Sequence, residues 1–340
     1  MKLTNPIMAA FASCLLLVSL PAAAQTPHPL VGKIFDTQTG FVTDLGDAAM
    51  IPKLFPCGTI TLLGEVHDNA DHHRMRGELV AKQATSDQEQ HLDWRLGCAD
   101  DGAVVLEHVD TSFQDVLDNY TLCTPQHHNC GTAKDLLTAL HWTKSGWGSE
   151  KIFAPMFDQI LRTNRVLIAA GLTTDIVRNV ARTGLAAVPP AHVLEFKLEH
   201  PLHPSLIDAL LTELEEGHCG LMPKSAFGNM GIAQRYRDAF MADVAMKSAK
   251  AYGRAIIFAG NGHIRTDRGI PYYLKQRAPD RKVIAVAFVE TEDGKSDPAA
   301  YSPRDPAGQP AADYVAFAAP AQRDDPCESM RAQFKAKPLP

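Results

Sequence analysis

Thr59–Arg76, TITLLGEVHDNADHHRMR, decides how this chain is read. It opens as a short apolar, β-branched run (Ile60, Thr61, Leu62, Leu63) of the kind that forms a buried strand. Gly64 breaks the run, and Glu65, His67 and Asp68 follow within four positions. After an Asn-Ala-Asp turn, His72 and His73 open a helix. A strand that ends in Glu and His before a His-rich helix points to an α/β site, where ligands sit beyond the carboxyl ends of the strands.

Upstream, MKLTNPIMAAFASCLLLVSLPAAAQ has one positive charge, an apolar run and the small-residue end Ala22-Ala23-Ala24. This is the pattern of a secretory signal peptide over residues 1–24, cleaved before Gln25. The apolar run is too short, and too interrupted by Pro21, to serve as an anchor. Lipidation at Cys14 is the alternative, but Phe11-Ala12-Ser13 fits a lipoprotein box poorly. A periplasmic protein is therefore expected. Cleavage leaves Cys57, Cys98, Cys123, Cys130, Cys219 and Cys327, an even number that favours disulfides in an oxidising compartment. No C-x-x-C pair is present to suggest a zinc thiolate site. The expected pairs are Cys123 with Cys130, Cys57 with Cys98, and Cys219 with Cys327. Loss of Lys2 moves the net charge from −6 to −7. No basic cluster exists, which argues against nucleic acid as a partner. With 45% hydrophobic and 21% charged residues the chain is ordinary globular material, and fourteen histidines are its compositional oddity.

Residues 25–50 read as an irregular entry segment. Strands are expected at Thr59–Leu63, Ala103–Glu107, Val166–Ala170, Arg254–Ala259 and Val283–Phe288, alternating with helices. The longest helix is expected over Ile232–Tyr252. This alternation predicts an α/β fold: a mostly parallel sheet flanked by helices over residues 51–290, with a helical insertion at about 111–165. Residues 291–340, rich in Pro and Ala, read as a loose tail with an edge strand at Ala312–Phe317.

Three strand ends carry polar groups: Glu65 and His67; Glu107 and His108; Asn261 and His263. Parallel strands bring those ends to one edge. Glu65, His67 and His263 would suit a divalent metal or a general acid/base pair. A lone strand-end histidine is more often structural, but here several strand ends agree. His108 should point to the opposite side from Glu107 and reads as structural. His72, one turn from Arg76, is expected to face the site and His73 to be solvated. His127 and His128 read as exposed. Arg235 and Asp238 read as an intrahelical pair, or Arg235 as a contact for an anionic ligand. Trp142 and Trp147 read as packing groups, with an aromatic wall for a flat ligand as the alternative.

GEVHDNADHH, HWTKSGW running into APMF, RYRDAFMA and GNGHIRTDRGIPYYL together resemble the ChaN-like haem-binding uptake proteins. That superfamily includes the Tiki metalloproteases and looks related to erythromycin esterases. The resemblance spans about residues 55–290. It implies a parallel α/β core and an exported bacterial protein of haem or iron acquisition. It carries over Glu65, His67, His72, His73, Arg235, Asp238 and His263 as motif positions. Haem ligation in the family is attributed to a tyrosine, and Tyr236, Tyr272 and Tyr273 are the candidates here, with core packing as the alternative for each. The leading expectation is a homodimer that binds haem or an iron complex and works with an outer-membrane haem or siderophore uptake system. A hydrolase built on Glu65, His67 and His263, with or without a divalent metal, is the other expectation.

Overall fold

The computed structural model describes residues 27–89, 102–121, 131–163 and 165–336. Eight strands form one sheet: β1 (Lys33–Asp36), β2 (Val42–Asp44), β3 (Ile60–Leu63), β4 (Ala103–Asp110), β5 (Val166–Gly171), β6 (Ala255–Phe258), β7 (Val283–Glu290) and β8 (Tyr314–Ala318). Their spatial order is β2-β1-β8-β7-β3-β6-β4-β5. The six strands from β8 to β5 are parallel, and β1 pairs antiparallel with both of its neighbours, β8 and β2. Every residue of β3 and β6 is buried, as a parallel sheet covered on both faces requires.

Alternate residues feed two cores. Leu63, Leu106 and Phe258 face one side, where α2 (Ala70–Glu89), α3 (Gln114–Thr121), α4 (Ala133–Ala139) and α5 (Glu150–Ile160) pack. Leu62, Val105 and Ile257 face the other side, against α6 (Thr174–Thr183), α9 (Gly228–Tyr252) and α10 (Ile270–Arg277). Between α6 and α9 lie α7 (Pro190–Glu195) and α8 (Pro204–Gly217). The predicted insertion is the β4-to-β5 crossover. Its helices start on local caps: Thr132 and Asp135 form a capping box at α4, and Ser149 caps α5.

Two segments are more ordered than their composition suggests. The entry segment supplies β1 and β2, with α1 (Ile51–Leu54) following them. The tail supplies β8, which lies inside the sheet between β7 and β1 instead of at an edge. Beyond it, Arg323 binds both Asp68 and Glu290, and Cys327, in α11 (Pro326–Ala336), is bonded to Cys219. Cys57 is disulfide-bonded as well. Cys98, the Cys123–Cys130 pair, His127, His128 and the leader lie outside the described residues.

Candidate functional site

The carboxyl ends of β3, β4 and β6 carry two polar knots, one on each face of the sheet. Gly64 extends the β3 ladder by donating to the Val286 carbonyl at 2.8 Å. A Cβ there would collide with Asn261 and come within 3.1 Å of that same carbonyl, so glycine is required. The chain then delivers Glu65 into the interior, 2% exposed.

Glu65 Oε1 accepts from His67 Nδ1 at 2.5 Å and from His108 Nε2 at 2.7 Å. Its Oε2 pairs with the guanidinium of Arg76. Burial lowers the pKa of His67, and burial with the nearby Arg76 charge holds that of His108 well below the ordinary range. Both imidazoles are therefore neutral, each giving its one N–H to Glu65. His73 is pushed by burial to about 3 and is also neutral. It donates from Nε2 to the His67 carbonyl at 2.8 Å and accepts from Arg76 at Nδ1, also at 2.8 Å. The 3.2 Å approach of that Nδ1 to Glu65 is thus no ion pair. One carboxylate and one guanidinium balance each other, with three neutral imidazoles around them.

The second knot centres on Glu107. Its Oε2 accepts from the Gly260 amide at 2.7 Å, and its Oε1 meets Arg237 and, at 3.1 Å, His263 Nε2. His263 Nδ1 donates to Asp238 at 2.6 Å. Burial disfavours a charged His263, but Glu107 and Asp238 outweigh it and raise the imidazole to about 9. Burial likewise opposes ionisation of Glu107, yet His263 and Arg237 hold it well below the carboxylate range. Burial dominates for Asp238, which rises to about 6. His67 joins the knots: a Cβ on Gly260 would lie 2.8 Å from its Cε1, so glycine here makes room for the ring.

Beside the knots opens a cavity of about 450 Å³ at the ends of β4 and β5. Its walls are apolar, with Phe113, Trp142, Trp147, Leu172 and Val177 among them, and cationic Lys144, Arg178 and Arg237 also line it. Trp147 caps the first knot, its ring centroid 4.9 Å from His67 and 4.7 Å from His108.

Residues 58–274 match the family described as haem-binding uptake, Tiki superfamily, ChaN. The chain belongs to this family. A ChaN of Campylobacter jejuni, solved with cofacially bound haem, is 20% identical, with a TM-score of 0.60 over 83% of this chain and 95% of that one; the likeness is one of fold. An erythromycin esterase mutant, EreC in its open conformation, is 16% identical over 89% of this chain and 87% of that one, and a Bacillus cereus protein is 14% identical over 74% and 70%. Both have TM-scores of 0.34 and add nothing to the assignment. No curated protein matches.

In this ChaN-family chain the predicted site residues divide. Glu65, His67, Glu107 and His263 converge at the strand ends, but His263 joins Glu107, and the third group beside Glu65 and His67 is His108. The metal-ligating atoms of Glu65, His67 and His108 lie within 4.8 Å of one another. A divalent ion there would have to displace two imidazole protons from a carboxylate already balanced by Arg76. Glu107 and His108 do point to opposite sides, but the cavity wraps the sheet edge and meets both.

The histidines of α2 exchange their expected places. His73 reaches Glu65, whereas His72, lowered by burial to about 4, accepts from the Val66 amide and packs on Phe288. Arg235 binds the Tyr273 hydroxyl and the His200 carbonyl instead of Asp238. Asn261 pairs with the main chain of Phe288. Tyr236 is buried against His192, and burial pushes the Tyr273 phenol up. Tyr272 packs edge-on against Tyr273. None of the three tyrosines lines the cavity. Arg237, two positions from Arg235 in the same RYRD segment, went unread in the sequence.

Proposed function

We propose that this chain is an exported haem-binding protein of bacterial iron uptake, taking haem into the cavity beside Trp147. The observation that carries the reading is the cavity itself: aromatic and aliphatic walls suited to a porphyrin face, with Lys144 and Arg178 available to its carboxylates. Family membership supports the ligand. The cofacial haem of the Campylobacter jejuni protein supports a homodimer closing over it. The leader sequence and the Cys219–Cys327 bond support the periplasm, where the protein would work beside an outer-membrane haem or siderophore system. Among the described residues no helix is long and apolar enough to cross a membrane. Titration of the purified protein with haem should give a shifted, stoichiometric Soret band; an unshifted spectrum at all ratios would overturn the reading. The exported protein should begin at Gln25.

A second reading is supported by the Asp238–His263–Glu107 relay, a buried carboxylate–imidazolium chain of the kind hydrolytic sites use. It makes the protein a hydrolase, either metal-free or with a divalent ion on Glu65, His67 and His108. It predicts turnover on an ester and peptide panel that is abolished by His263→Ala. An absence of both turnover and stoichiometric metal would exclude it.

A further inference from the structure

We propose that His141 supplies the axial ligand to haem iron in the cavity at the ends of β4 and β5; this rests on the haem-binding reading above. Among the described residues that line the cavity there is no tyrosine, cysteine or methionine, and the imidazoles are those of His108 and His141. His108 gives Nε2 to Glu65, and its Nδ1 is buried out of reach of a ligand. His141 is exposed, its ring near Phe113 at 6.1 Å. The described residues offer its two ring nitrogens no hydrogen bond. An imidazole on an apolar wall, with no hydrogen bond to the described residues, is a standard donor to haem iron.

The backbone supplies an independent observation. His141 sits in the left-handed region, φ 51° and ψ 41°, one of three non-glycine residues with positive φ among the described residues. Histidine tolerates this conformation better than most residues, yet it still costs free energy, and such strain is kept where the surroundings impose it. Here buried Trp142 fixes the following turn, with Ser145 returning to its carbonyl. The strained residue is held at the cavity wall by its neighbour's packing. Glycine would suit the same backbone at no steric cost.

That makes His141→Gly the informative variant, since it removes the imidazole and relieves the backbone. Haem is titrated into wild type and His141→Gly, with absorbance read before and after adding free imidazole. The expected result is a wild-type Soret band that is shifted or lost in the variant, affinity at least tenfold weaker, and restoration of the spectrum by imidazole. A wild-type spectrum and affinity in His141→Gly would overturn the assignment while leaving haem binding intact. No haem binding by wild type would overturn both.

Discussion

Arg76→Met tests whether the first knot is held by charge. The guanidinium is fully buried between the Leu63 carbonyl, His73 and the Phe258 ring, and among the described residues it is the one cation against Glu65. Methionine keeps most of the apolar contact beside Met156 but leaves a buried carboxylate without its countercharge. Breaking a buried pair this way costs about 3–5 kcal/mol. Two imidazole N–H groups still serve Oε1, which places the loss near the lower figure, about 3 kcal/mol. Against a folding free energy of about 5–15 kcal/mol this is readily measured by urea unfolding. Adding Glu65→Gln removes the stranded charge, so the double variant should recover at least about 1.5 kcal/mol relative to the sum of the single changes. A loss below about 1 kcal/mol for Arg76→Met, or additivity within about 0.5 kcal/mol, would refute the reasoning.

Three further outcomes are expected. His263 has a folded pKa of about 9, above its unfolded value. Its contribution is therefore complete below about pH 6.5 and disappears as pH rises toward 9; thermal scans from pH 6.5 to 9.5 should show a decline that His263→Gln flattens. Replacing Cys219 and Cys327 together with serine opens a loop of 108 positions and should cost up to about 4–5 kcal/mol, with α11 becoming accessible to protease first. Trp147→Ala removes the ring over His67 and His108; haem affinity should fall up to about tenfold while Tm moves little, as read by paired titration and thermal scans.

The parallel core was legible because its strands open as unbroken apolar runs, with polar residues at or just beyond the carboxyl ends of β3, β4 and β6. That sufficed to bring Glu65, Glu107 and His263 to one edge. The phase of each helix was not legible. His72 and His73 differ by one position, and which of them meets Glu65 depends on how α2 docks. The same uncertainty hid Arg237 behind Arg235 on α9. His108 was placed on the side opposite Glu107, as found; that it meets the same cavity was not legible, because strand alternation specifies a side of the sheet and a cavity beyond the strand ends serves both sides. The short strands KIFD and VTD carry too little pattern to stand out, and the pairing of KIFD to β8 comes from far along the chain.

The place of β8 bears on the order in which the protein is made. Thr37 takes its hydrogen-bond partner from Ala312, 275 positions later. The first strands to be synthesised therefore have no permanent neighbour in the main sheet until nearly the whole chain has followed. In that interval β7 presents an unpaired edge, a template for the wrong strand. A chain shortened before Tyr314 would keep both polar knots and the cavity, but would leave that edge open for good.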